Sequence, residues 1–229
     1  ATSDGITNYN VIYDLKQVIT PRDLTIQLDT TKVYDGLQFV STYAATGAGY
    51  TVTGLQNGAT ITAGVVTSSA KNVATYIDSV ATNYAEVTTD FATSDGITNY
   101  NVIYDLKQVI TPRPLDITAD HLTKMYDGDE HTYAEGTAPF YTVEAESTDR
   151  GLLSGNTVTA ITLAGARTNV GTENIVPSAA TIMSGSDDVT ANYAINYVNG
   201  SLTITPRTGV MVTIQEHGAE YDYDGTLKT

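Results

Sequence analysis

The carboxylates of this chain offer the most chemistry. Asp127, Asp129 and Glu130 crowd the stretch after Tyr126, with Asp116 and Asp120 upstream, and Asp187 and Asp188 form a second pair. Oxygen ligands converging on one loop suit calcium, which takes about six to eight of them. These acids follow neither an EF-hand nor an RTX spacing, and the corresponding stretch at Asp35 has a single acid. A solvated acidic loop is therefore the expectation, with a calcium site as the alternative. Lysine and asparagine offer a second chemistry. A desolvated, neutral lysine amine beside a buried acid can attack an asparagine carboxamide and release ammonia, leaving an isopeptide bond. Lys32 with Asn99 or Asn101, and Lys124 with Asn192, stand in the order this needs, early strand to late strand. No sequence feature shows either lysine to be buried. His121, His131 and His217 share no ligand spacing and no HExxH, so solvated imidazoles are expected rather than zinc. No nucleophile elbow, P-loop or GxGxxG occurs; the reading is no enzyme and no required cofactor.

The elements that position these residues are set by repetition. Residues 1–22 read ATSDGITNYNVIYDLKQVITPR, and residues 92–113 repeat them letter for letter. A diverged third copy runs through Asn192, Tyr193, Ile195 and Tyr197 to the same ITPR ending at Ile204–Arg207. A period of this size marks a tandem array, to be settled before anything else is read. The ITPR endings divide the chain into a fragment of an upstream repeat (1–22), two complete repeats (23–113 and 114–207) and the head of a downstream repeat (208–229). A second marker agrees: Lys32-Val33-Tyr34-Asp35-Gly36 returns as Lys124-Met125-Tyr126-Asp127-Gly128, and more weakly as Tyr223-Asp224-Gly225.

Composition bounds the class. The chain has 229 residues, 41% hydrophobic, so each repeat can bury one modest core. A formal charge of −15 argues against nucleic acid, whose binding needs clustered Lys and Arg, and against an anionic membrane surface. There is no cysteine, hence no disulfide and no thiolate metal site. No apolar run approaches the length of a membrane span. Tyrosine is abundant, 16 against 3 Phe and no Trp. Its ring suits a thin β core while its hydroxyl stays at the wet edge; the alternative is an exposed platform for stacking sugars.

The pattern is β throughout. Leu24, Ile26 and Leu28 share one face, and Leu115, Ile117 and Ala119 the matching one. Tyr-Asp-Gly marks a turn, because Gly accepts positive φ. Further strands are predicted at 50–55, 59–67, 75–80 and 84–88, and near 140–146, 157–163 and 173–175. Residues 71–84 can instead hold one short helix. Alternation on both sides of Asn199-Gly200 predicts a β-hairpin there. The copies at Asn8 and Asn99 carry Asp-Leu-Lys-Gln in its place, implying another type of turn. Pro21, Pro112 and Pro206 stop each final strand and pass the chain directly to the next repeat, which favours a semi-rigid rod. The predicted fold is all-β: small immunoglobulin-like sandwiches end to end, or β-grasp-like units with one short helix.

The ordered set Lys-x-Tyr-Asp-Gly, then Asn169-Val170-Gly171 (Asn72-Val73-Ala74 in the first repeat), then Asn-Tyr-x-Ile-x-Tyr-Val-Asn-Gly-x-Leu-Thr-Ile-Thr-Pro resembles the YDG/MBG-type repeats of large bacterial surface proteins and adhesins. The resemblance covers both complete repeats and both fragments. It implies a secreted protein of many repeats at the bacterial cell surface, attached to the wall through other regions, with no catalytic residues to carry over. The expected function is a stalk or spacer, or a surface fibre, that projects a distal binding region. Its partners are neighbouring repeats of the same chain. The alternative is a repeat that itself binds host glycans, mucin or surface proteins weakly and gains avidity from tandem copies.

Overall fold

A computed structural model of the chain describes residues 16–43, 49–78, 87–214 and 222–225. The fold is all-β, with three short 3₁₀ turns and no α-helix among the described residues. Across the first repeat run β1 (Arg22–Val33), β2 (Val40–Thr42), β3 (Tyr50–Thr53), β4 (Ile61–Ser68), β5 (Ala74–Asp78), β6 (Val87–Thr93) and β7 (Tyr100–Thr111). The second holds β8 (Arg113–Ala119), β9 (His121–Met125), β10 (His131–Thr132), β11 (Tyr141–Val143), β12 (Asn156–Ala164), β13 (Ala166–Arg167), β14 (Gly171–Ser184), β15 (Asp187–Asp188), β16 (Tyr193–Val198) and β17 (Gly200–Thr205). Only Pro112 separates β7 from β8, as the proline-ended repeat predicts; the other two prolines differ, since residues 16–20 before Pro21 form no strand and none follows Pro206 through residue 214.

In the first repeat the first and last strands lie side by side and parallel, and in the second repeat the second and last strands do. β1 pairs with β7 from Arg22↔Tyr100 to Val33↔Thr111, and β9 with β17 from His121↔Ser201 to Met125↔Thr205. Parallel neighbours need a long crossover, and the body of each repeat supplies it.

The chain packs as two compact units. One comprises the described residues within 16–115, 144–159 and 181–196; the other comprises those within 116–143, 160–180 and 197–225. Two segments of the second repeat therefore pack with the first. In the first unit a sheet ordered β3-β1-β7-β5 and another ordered β2-β4-β6 share one core. Leu24, Ile26 and Leu28 of β1 meet Leu106, Ile61, Val66 and Phe91 there, and Tyr43, Tyr50 and Tyr104 pack around them. Each buried aliphatic side chain contributes about 1.5–3 kcal/mol. In the second unit Ala119, Ile175, Leu202 and Ile204 form a smaller core, covered by Leu122, Tyr133 and Leu163. The tyrosines take the edge role: the hydroxyls of Tyr50 and Tyr76 donate to the carbonyls of Ser41 and Asn72.

Gly36 and Gly128 have φ of 79° and 100°, so both Tyr-Asp-Gly motifs turn as predicted. The Asn199-Gly200 hairpin is a correction. β16 continues through Asn199 into β17, and the two strands belong to different sheets. Gly200 is needed for close approach rather than for positive φ, because a Cβ there would lie 2.0 Å from the Asp120 carbonyl oxygen. The turn expected at 105–108 is likewise absent: β7 runs straight through, with Leu106 and Gln108 buried and Asp105 and Lys107 exposed. Its counterpart in the Asn8 copy lies largely outside the described residues. Residues 74–78 are strand β5 rather than helix, because they pair with Leu106–Ile110 of β7, while 79–86 lie outside the described residues.

Candidate functional site

The first unit contains a joint where the recurring motifs of the two repeats meet. Arg113, which closes one ITPR ending and opens β8, is 2% exposed. Its Nε donates to the Gly151 carbonyl (2.8 Å), Nη1 to those of Tyr34 and Thr148 (3.4 Å each), and Nη2 to those of Arg150 (2.7 Å) and Ser147. A guanidinium presents five N–H donors in a rigid fork, so one side chain fixes the loop Ser147–Gly151 against the Tyr34 turn. A lysine has three donors on a flexible stem and cannot reproduce this.

The other motifs converge on the same place. Tyr34 is buried, and its ring meets Tyr193 edge-on with centroids 5.8 Å apart. Burial, followed by the neighbouring Tyr193, pushes the Tyr34 phenol above its ordinary pKa. The Tyr193 hydroxyl accepts from the Leu153 N–H (3.3 Å) and from Asn156 Nδ2 (2.7 Å). Asn192 Oδ1 accepts from the Val73 N–H (2.8 Å), and its Nδ2 donates to Asn72 Oδ1 (3.1 Å). Tyr-Asp-Gly, Asn-Val, ITPR and Asn-Tyr thus come together in one interlocked set. Sequence reasoning marked most of them but missed the arginine, whose place directly after each Pro was the available signal.

The second unit holds a different feature. His131 is buried, and this corrects the expectation of a solvated imidazole. Its Nδ1 lies 2.9 Å from Glu135 Oε2 and its Nε2 3.1 Å from Asp127 Oδ1. Lys124 Nζ is 3.3 Å from the same Glu135 oxygen. Glu135 Oε1 accepts from the Thr132 N–H, closing a capping box over the 3₁₀ turn Tyr133–Glu135. The hydrogen bond with Glu135 leads in raising the His131 pKa, with Asp127 adding to it. Reciprocally, the bond from His131, then the Thr132 N–H, holds Glu135 down at about 2. The Asp129 N–H, ahead of His131, lowers Asp127. The signal was present as acids four residues to either side of His131, with Thr132-x-x-Glu135 as a capping box.

Beside this cluster lies an open cavity of roughly 630 Å³ whose lining includes Asp120, His121, Tyr133, Glu135 and Phe140. Tyr133 and Phe140 meet edge-on at 5.9 Å. His121 Nδ1 lies 2.8 Å from Ser201 Oγ, its direct partner in the parallel register.

The remaining candidates are placed as follows. Asp127 serves His131 and the Asp129 N–H, and no group of three or more metal-ligating side chains forms among the described residues. The alternative of a calcium site at Asp127, Asp129 and Glu130 thus finds no converging ligand set among the described residues. The isopeptide pairs in the first repeat are corrected by register. Asp23 faces Asn101, whereas Lys32 faces Ile110 at the other end of the same pair, about 30 Å along the strands. Lys32 Nζ instead binds Asp35 Oδ1 (2.7 Å) and the carbonyls of Leu37 and Gln38, and Asn99 caps the Asp95 carbonyl. Lys124 and Asn192 are engaged by Glu135 and by Asn72 and Val73, respectively. His217 lies outside the described residues.

No family model, characterised protein or solved structure matches this chain.

Proposed function

We propose that this chain is a run of structural repeats, a stalk or spacer of a bacterial surface adhesin or fibre, similar to YDG/MBG repeats and built as tandem immunoglobulin-like sandwiches. The observation that carries this reading is the Arg113 joint. The residues that recur from repeat to repeat, Tyr34, Asn72, Arg113, Asn192 and Tyr193, are engaged with one another across successive repeats. A spacer needs stiff junctions, and here a single residue, Pro112, lies between the last strand of one repeat and the first of the next. The charge of −15 keeps such a protein solvated at a crowded surface.

Backbone ¹⁵N relaxation of the whole chain tests the reading. The amides of Ile110, Thr111, Arg113, Leu115 and Asp116 should show order parameters of about 0.85, equal to those of the flanking strands. Values below about 0.6 at the junction would describe beads on a flexible string and overturn it.

A second reading, a glycan-binding repeat acting by multivalency, is favoured by the cavity beside Tyr133 and Phe140, which combines aromatic rings with Asp120, His121 and Glu135. Saturable binding to a mucin or glycan panel, weakened by His121→Ala, would support it. No binding at millimolar glycan would leave the cavity without that role.

A further inference from the structure

The joint around Arg113 has two sides, and each side occurs a second time in the chain in a more exposed form. The tail side consists of Tyr34, Asn72-Val73 and the end of β7. Its copy in the second repeat is built the same way. The Tyr126 N–H donates to the Thr205 carbonyl at 2.9 Å, as the Tyr34 N–H does to Thr111. Thr205 Oγ1 donates to the Lys124 carbonyl, as Thr111 Oγ1 does to Lys32. Gly171 faces Ile204 as Ala74 faces Ile110, which sets Asn169-Val170 in the place of Asn72-Val73. This copy is open: Tyr126 is 36% exposed where Tyr34 is 2%, and Val170 is 46% exposed.

The head side consists of Gly151, Leu153, Asn192 and Tyr193. Its copy in the first repeat is Gly54, Gln56, Asn99 and Tyr100. The Gln56 N–H donates to the Tyr100 hydroxyl as the Leu153 N–H does to that of Tyr193. Gly54 and Gly151 share positive φ and a close approach to a carbonyl. Here too the copy is open. Asn99 is exposed where Asn192 is buried, and Arg22 is exposed, its Nη1 donating to Gln56 Oε1 at 3.3 Å where Arg113 grips five carbonyls.

We propose that the open tail of one molecule takes the open head of a second copy, reproducing the Arg113 joint between chains. Asn99 of the second copy accepts from the Val170 N–H, its Tyr100 ring meets Tyr126, and its Arg22 closes over the carbonyl oxygens of Gly54 and Tyr126. The contact is heterologous, so each joined pair leaves a free head and a free tail. It stands on the equivalence of the two repeats and does not require the stalk reading.

Sedimentation velocity of the 229-residue chain at physiological salt, from micromolar to millimolar, tests the proposal. The average mass should rise with concentration. Val170→Lys should block the tail and Asn99→Lys the head, each leaving a monomer at concentrations where the parent associates. Both substitutions reduce the net negative charge, so lost association cannot come from added repulsion. An equimolar mixture of the two variants retains one good head and one good tail and should stop at the dimer. Tyr126→Ala provides a second tail variant, and circular dichroism checks that every variant is folded. A parent that stays monomeric at millimolar concentration overturns the proposal, as does association that survives unchanged in all the folded variants. A flexible junction by ¹⁵N relaxation would sink the stalk reading and leave this result standing.

Discussion

Asn192 Oδ1 lies 2.8 Å from the backbone nitrogen of Val73, 119 residues earlier in the chain, and accepts its hydrogen bond. Asn99 occupies the same place in the other repeat and remains exposed, with its amide turned to the Asp95 carbonyl. One motif residue thus has two environments, buried and bridging at position 192 and exposed at position 99. Asn192→Ala leaves the Val73 N–H without its acceptor in a part-buried site and should cost about 1–3 kcal/mol. Asn99→Ala should cost less. Urea unfolding of both variants measures the difference, and equal losses would remove the joint as its cause.

Arg113 and Arg22 form a second matched pair. Arg113→Ala strips five carbonyl oxygens of their donor and should cost at least about 3 kcal/mol. Arg113→Lys should recover only part of this, for want of the planar fork. Arg22→Ala, at an exposed site, should stay within about 0.5 kcal/mol in dilute protein. Chemical denaturation at low concentration checks all three.

The His131 cluster should make the second unit sensitive to pH. The His131 pKa is raised in the fold, so its contribution is complete below the unfolded value of 6.5 and is lost as pH rises through the folded value. Glu135 is lowered to about 2, so its contribution is complete above its unfolded value of 4.5 and is lost as pH falls towards 2. The two overlap between about pH 5 and 6.5. The stability lost in His131→Asn should therefore be largest there and shrink above neutrality. A loss independent of pH would mean that the ring acts by packing alone.

Gln108 is buried in β7, where its Nε2 donates to Ser41 Oγ and the Val66 carbonyl while its Oε1 has no partner among the described residues. The corresponding residue of the second repeat is Leu202, also buried. Gln108→Leu removes the orphaned oxygen and should stabilise the first unit by about 1 kcal/mol. A thermal midpoint below that of the parent would show that the two donated bonds matter more.

Gly200 and Asn199 separate a close approach from a turn. Gly200→Ala drives a Cβ into the Asp120 and Ala119 carbonyls and should destabilise by about 2 kcal/mol or more. Asn199→Ala, at an exposed position between two strands, should be near neutral. A type I′ hairpin would instead make both substitutions costly, and the unfolding midpoints decide between them.

The sequence by itself determined the all-β class, the Leu24-Ile26-Leu28 and Leu115-Ile117-Ala119 faces, and the Tyr-Asp-Gly turns. All of these are local or periodic: alternation shows which face is buried, and positive φ at glycine is a property of one residue. Tertiary structure alone decided where strands find their partners. Asn199-Gly200 has the letters of a hairpin, yet β17 pairs with β9 and β14, because burying Leu202 and Ile204 against Ile175 and Ala119 outweighs a local turn preference. The same holds for the chemistry. Lys32 and Asn101 stand in chain order for an isopeptide bond, and parallel register moves them to opposite ends of one strand pair. Arg113 is one of several arginines in the sequence, and it becomes the centre of the joint only because the next repeat folds its carbonyls around it.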